Sequence, residues 1–416
     1  CRTNNSYQHT DTDTQYQLRK QEVNKAIKNR QIGTQSRIGS LRDDPIAAGH
    51  LVRYQSFLGR VNQFEKNAQT LADQMNVREG YINQNLQIMH RVRELAITGA
   101  NGTYTGEDLK NMAVEVNELL KELIQNANAV GPDGNTLFAG TRTKGAAFDV
   151  VMGNIPGSDE ALIEKVNYKG NNGINKIEVD ENAYLQIDNS GTKTFWAEPQ
   201  HLIGQRDLTS WQALEDSVIS IDGADIAIKS GDNVYAVAAK INNSGIAVKA
   251  SIDPVSQGLS LSTTDSHQVW MEDKIGSALA DMGMIEDSSQ FPPYNVNTSA
   301  VKVSGGSLFD AVIALRDSML KGDQESIGSR VIGTLDYGIN NLTTRLAKSG
   351  SDYERAMNNV ERSKTNNVNV TQLVSREGDI DLTEAITDLK MMEYVNQATM
   401  SNAGKMYSST LLNYMR

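Results

Sequence analysis

Few residues in this 416-residue chain are of types that do chemistry, and their spacing gives them little to do. Five histidines (His9, His50, His90, His201, His267) are scattered, none with a second ligand at metal-binding spacing. The lone thiol, Cys1, has no neighbouring base to activate it as a nucleophile, and one cysteine forms no intramolecular disulfide. No glycine-rich phosphate loop, nucleophile elbow or HExxH pair occurs. Acidic groups are the remaining candidates. Asp43-Asp44 could ligate a cation, but with Pro45 behind them they read as a helix start. An acidic cap accepts from the first free N–H groups, and proline at the first helical position gives up no needed donor. Asp379, Asp381 and Glu384 resemble half of a calcium loop, without its other ligands or central glycine. Asp381 more naturally caps the last helix, with Glu384 three residues on completing a box-like pair. These residues predict no enzyme, no metal and no cofactor.

Composition narrows the class further. The net charge of −11 argues against a nucleic-acid binder, which would present a basic face. No stretch reaches the roughly 20 apolar residues needed to span a bilayer, so no membrane insertion is expected. No charged n-region precedes an apolar h-region, so no cleaved secretory signal is expected either.

The elements that would position any function are mostly helical. Six of the seven prolines (all but Pro45) and all three tryptophans fall between Pro132 and Pro293. Proline removes a donor and clashes with the preceding turn, so the two proline-poor ends predict helical arms around a turn-rich insert. From Pro45, residues Tyr54, Val61, Ala68, Met75, Ile82, Met89 and Ala96 recur at seven-residue steps. Phe57, Phe64, Leu71, Arg78, Asn85 and Val92 hold the complementary positions, a heptad seam with a polar break. Leu109, Met112, Val116, Leu119, Leu123 and Val130 form a second seam. Ile332, Ile339, Leu346, Tyr353 and Val360, with Leu335, Leu342 and Ala356, form a third. The expected fold class is α+β: a long antiparallel helical bundle built from both arms, carrying an inserted β-rich domain.

Within the insert, Lys176–Val179, Tyr184–Ile187, Val218–Ile221, Ile226–Ile228 and Ile246–Ser251 read as strands between Asn- and Gly-bearing turns. Short helices are expected at 233–242 and 270–282. The last helix, Asp381 to Arg416, carries a stripe rich in Met and Ala. Leu382, Ile386, Leu389, Met392, Met400, Tyr407, Leu411, Leu412 and Tyr414 are its candidate assembly residues. A monomer buries such a stripe only weakly, and Met-rich faces accept varied partners.

These segments resemble the flagellin superfamily. Ile38–His50 (IGSLRDDPIAAGH) is similar to that family's helix-entry motif, and its Asp43-Asp44-Pro45 form resembles the hook–filament junction branch. Asn135–Thr143 (NTLFAGTRT), with Phe138 and Gly140, resembles the hairpin after the third helix, and Val166–Gly173 (VNYKGNNG) the next strand and turn. Residues 218–285 are similar to the flagellin IN module, and the tail ends in the serine-leucine-leucine-aromatic pattern at Ser409–Tyr414. The resemblance implies a division into an N-terminal arm (1–36), a helical half (37–140), an outward-facing insert (141–304), a returning helical half (305–365), a linker (366–379) and a C-terminal arm (380–416). It implies a structural subunit of the bacterial flagellum at the hook–filament junction, the alternative being flagellin itself. The implied partners are further copies in a ring, the preceding hook-associated junction protein, flagellin and a flagellar export chaperone. Export without a cleaved signal would place it outside the cell, or in the periplasm where the flagellum is internal.

Overall fold

Capping chemistry sets where the helices start. In the computed structural model α1 (Asn4–Thr34) is followed by α2 (Pro45–Gly99) and α3 (Gly106–Ala127). Asp44 accepts from the Ala47 N–H at 3.0 Å with Pro45 at the first helical position, and Thr105 with Asp108 forms a reciprocal capping box for α3. Next come β1 (Phe148–Asn154), β2 (Ala161–Tyr168), β3 (Ile174–Asp180), β4 (Ala183–Asp188), the turn α4 (Gly191–Thr194) and β5 (His201–Gly204). They are followed by β6 (Ser217–Ile221), β7 (Ala224–Ile228), α5 (Val234–Asn243), β8 (Val248–Ile252), β9 (Leu259–Thr263), β10 (Met271–Ile275), α6 (Ala278–Asp281) and β11 (Val301–Ser304). The chain closes with α7 (Leu308–Lys321), α8 (Gln324–Ser326), a π-helical turn (Ile327–Val331), α9 (Ile332–Gly378) and α10 (Leu382–Tyr414). The structure describes residues 4–40, 42–142, 144–158, 160–188, 190–286 and 291–414; the side chains of 4–14, 188 and 406–414 lie outside that description.

The chain divides into two compact units, residues 1–66 with 360–416 and residues 67–359. The α+β class expected from the sequence is the one observed. Both unit boundaries fall inside continuous helices, α2 and α9, where no change of composition marks them. Residues 366–379, expected as a linker, are helical as far as Gly378. That run holds no proline, and Val370 buries its side chain, so nothing in it stops the helix.

Two cores fill the 67–359 unit. In the first, the seam expected from the heptads is buried: Ile82, Met89 and Ala96 from α2, Leu109, Val116 and Leu123 from α3, Leu335 and Leu342 from α9, and Met75 of α2 is buried beyond it. Val130 is a correction, being 54% exposed because α3 stops at Ala127. The polar break is real and buried. Asn85 is fully inaccessible, and the Arg78 guanidinium carbon sits 5.5 Å from the centroid of the Phe138 ring. An aromatic plug closes this core: Phe148 lies 4.9 Å from Phe309 and 5.3 Å from Phe195, and Phe195 lies 5.0 Å from Phe138, centroid to centroid.

The second core belongs to the later insert, where β10-β6-β7 and β11-β5-β9-β8 form antiparallel sheets beside α5. Strands expected at 176–179, 184–187, 218–221 and 226–228 lie within β3, β4, β6 and β7, and the helix expected at 233–242 is α5. The helix expected over 270–282 is instead β10 followed by the single turn α6. Met271 pairs with Ile221 on β6, and Gly276 at φ +81° breaks the run between them, so long-range pairing overrides local helix preference here.

Candidate assembly surface

In the unit formed by 1–66 and 360–416, α1 and α10 run antiparallel. Lys28 meets Asp388 at 2.9 Å, Lys25 meets Glu393 at 3.2 Å, and Gln21 donates to Thr399 at 3.4 Å. Numbers rise on one helix as they fall on the other, and the basic side chains of α1 face the acidic ones of α10. Asp381 accepts from the Thr383 and Glu384 N–H groups and so caps α10 as expected. The face of α10 turned to α1 carries Ala385, Leu389 and Met392, followed at helical spacing by Asn396 and Thr399. Of its described side chains only Ala385 is fully buried, at 1% exposure.

The remaining apolar groups of α10 face outward. Leu382 (41% exposed), Ile386 (43%) and Met400 (54%) share one side at 100° per residue, while Met391, Tyr394 and Val395 are exposed on others. Among the residues singled out from sequence, the structure therefore separates Leu389 and Met392, half-covered by α1, from Leu382, Ile386 and Met400, which are free. Tyr407, Leu411, Leu412 and Tyr414 carry side chains outside the described residues. Met391 and Tyr394 were missed because they sit off the principal stripe, although the wheel angle of each could have found them.

The Asp43-Asp44-Pro45 motif forms an elbow below these helices. Asp43 accepts from the backbone N–H groups of Gly39 (2.9 Å) and Ser40 (2.8 Å), and the Arg30 guanidinium lies 3.4 Å away. The Gly39 N–H foremost, with Ser40 and Arg30, holds the Asp43 carboxyl below the ordinary carboxylate range against the opposing effect of burial. The Ala47 N–H and then Arg37 do the same for Asp44. Arg37 ties this elbow to the turn between α9 and α10: its side chain reaches Asp44 at 3.3 Å and the Glu377 carbonyl at 3.0 Å, and its N–H donates to the Gly378 carbonyl at 2.7 Å. Ser36 pairs with Asp379 in an antiparallel bridge at the same place. The paired aspartates thus act as backbone acceptors, and Arg37 joins the two turns.

In the other unit, Phe138 and Gly140 anchor the hairpin after α3. Phe138 is fully buried in the aromatic plug. Gly140 has φ +71°, and a Cβ there would lie 2.2 Å from the Asn171 carbonyl oxygen, so only glycine fits. The Tyr168 hydroxyl donates to the Phe138 carbonyl at 3.1 Å, and Asn171 accepts the Thr141 N–H at 2.8 Å. The two sequence stretches 135–143 and 166–173 are therefore docked on each other.

Comparison with known proteins follows the same arrangement. The bacterial flagellin N-terminal helical region matches residues 3–143, which take in α1, the elbow, α2, α3 and the Phe138 hairpin. Over that stretch the chain is similar to the flagellins. The chain is 24% identical over 274 residues to flagellar hook-associated protein 3 of Escherichia coli, spanning 65% of this chain and 81% of that protein. Salmonella typhimurium hook-associated protein 3 is 25% identical over 62% of this chain and 74% of its own length. The flagellar filament 31.3 kDa core protein of Treponema maltophilum is 30% identical over 119 residues, only 42% of its length. The solved structure of a hook-associated protein-3 from Legionella pneumophila overlaps 78% of this chain at 13% identity and a TM-score of 0.46.

Proposed function

We propose that this chain is a structural subunit of the bacterial flagellum at the hook–filament junction, joining the hook side to the flagellin filament. What supports this reading is the likeness to hook-associated protein 3 of two species, 24% and 25% identical over 81% and 74% of their lengths, together with the Asp43-Asp44-Pro45 form of the elbow. The mechanism is mechanical. Leu382, Ile386 and Met400 of α10 stay exposed in the single chain and are buried against neighbouring subunits at the distal end of the growing structure. Apolar burial drives that step, and the lysines of α1 opposite the acids of α10 hold the two arms in register. The partners are other copies in a ring, the preceding hook-associated junction protein, flagellin, and an export chaperone that covers α10 before assembly. The insert 141–304 faces outward, and export without a cleaved signal delivers the chain.

The test is immunogold electron microscopy of intact flagella with antibody raised against residues 141–304. A narrow band between hook and filament is the expected result. Label along the whole filament would make the chain a filament subunit, a reading favoured by its 26% identity to a Vibrio cholerae flagellin over 81% of this chain.

A further inference from the structure

Among the described residues, His267 is a histidine held by a carboxylate at each ring nitrogen, and it stands outside the assembly surface described above. Its ring is buried, with the residue 1% exposed. Nε2 lies 2.8 Å from an Asp222 carboxylate oxygen, and Nδ1 lies 2.7 Å from an Asp265 oxygen. An imidazole with a carboxylate at each nitrogen donates at both, so it carries both protons and a positive charge. Asp265 passes the chain of charge on: its other oxygen accepts from Arg345 of α9 at 3.0 Å, and Arg345 also donates to the Lys193 carbonyl in α4 at 3.2 Å. Asp222, in the β6–β7 turn at φ +49°, additionally accepts the Trp270 N–H at 2.9 Å. Two cations and two carboxylates thus connect the second core to α9 with no net charge. The other charged groups around Arg345 line the cavity beside it: Arg78 of α2, the Lys193 ammonium, and Lys348 and Asp352 of α9.

We propose that Asp222–His267–Asp265–Arg345 is a pH-gated latch that fastens the segment 264–270, and with it the second core, to α9 while the imidazole is doubly protonated, and releases it at alkaline pH. Loss of one ring proton leaves a nitrogen lone pair facing a carboxylate and a net negative charge at the buried end of the network, where the Asp222 side chain is 7% exposed. Asp222, with only the Trp270 N–H remaining, is the group that this strands. Burial works against the charged ring, but the bonds to Asp222 and Asp265 outweigh it and raise the pKa from 6.5 to about 9. A folded value above the unfolded one means that the latch is whole below about pH 6.5 and is lost as pH rises through about 9. The neutral contacts nearby do not titrate in that window. The Gln268 N–H donates to the Thr192 carbonyl, and the Tyr294 hydroxyl, which donates to the Tyr168 carbonyl at 2.9 Å, has its pKa pushed above 10 by burial.

The test is fluorescence energy transfer between dyes at Val255→Cys and Tyr337→Cys, both exposed positions, in the full chain with Cys1→Ser. The expected result is constant transfer from pH 6 to 8 and a one-proton change centred near pH 9 with helical circular dichroism retained. Arg345→Met, which removes the one latch member on α9, should hold transfer at its high-pH value throughout pH 6 to 10. His267→Gln should abolish the pH dependence between 7 and 10. Unchanged transfer up to pH 10 in the wild type, which needs no latch substitution, would overturn the proposal. So would loss of helical signal at the same midpoint, because the network would then be a general core contact.

Discussion

Replacing Leu382 and Ile386 together by alanine and, separately, by aspartate tests whether α10 is an assembly face. Leu382 and Ile386 are 41% and 43% exposed, so about two fifths of each side chain remains to be buried by a neighbour. Full burial of such a side chain contributes about 1.5–3 kcal/mol, so the double alanine variant forgoes roughly 1.3–2.5 kcal/mol of association free energy. At 1.4 kcal/mol per decade, the concentration for half-maximal incorporation rises about 10- to 60-fold. The aspartate pair must also desolvate two carboxylates and should shift it further, beyond 100-fold on the order expected for buried unpaired charge. In the single chain both sites face solvent, and aspartate in the first turns of a helix suits its dipole, so thermal unfolding should stay unchanged. The assay is binding of purified chain to hook preparations from cells lacking it, scored by immunogold count against concentration, with calorimetry in parallel. The reasoning is refuted if half-maximal incorporation does not move, or if the melting temperature falls by several degrees, which would put these residues in a monomer core.

Deleting 380–416 should leave the thermal transition of residues 67–359 intact while abolishing incorporation; a chain that still assembles would remove α10 from the interface. Gly140→Ala should cost about 2–5 kcal/mol by denaturant unfolding, combining about 1–2 for positive φ with about 1–3 for overpacking against Asn171, whereas Gly134→Ala, at φ +77° with open space around it, should cost only the former. Equal costs at the two glycines would show that the close approach to Asn171 is unimportant. At the elbow, Asp43 titrates below its unfolded value of 3.8, so its contribution is complete above that pH and is lost as pH falls through the lowered folded value. Asp43→Asn should therefore lessen the acid sensitivity of amide exchange at Gly39 and Ser40, and an unaltered profile would assign that sensitivity elsewhere.

The sequence by itself determined what is local. Heptad spacing placed Met75, Ile82, Met89 and Ala96 in one seam because a helix returns the same face every three to four residues whatever it packs against. Asp44-Pro45 and Asp381 set helix starts because a cap satisfies N–H groups only two or three residues away. Phe138 and Gly140 were legible as a motif, but their reason was not: the ring belongs to a plug built with Phe148, Phe195 and Phe309, and the glycine clears a carbonyl 31 residues further along at Asn171. Only the tertiary structure decided which side of α10 meets α1 and that 271–275 pairs with β6 as a strand. His267 is the clearest case. Nothing in its neighbourhood announced a role, because one of its two carboxylates lies 45 residues away in sequence and the arginine behind the other lies 80 residues from Asp265. Periodicity records the pull of water on one element at a time; the choice of partner is made between elements, by burial and charge that no single segment contains.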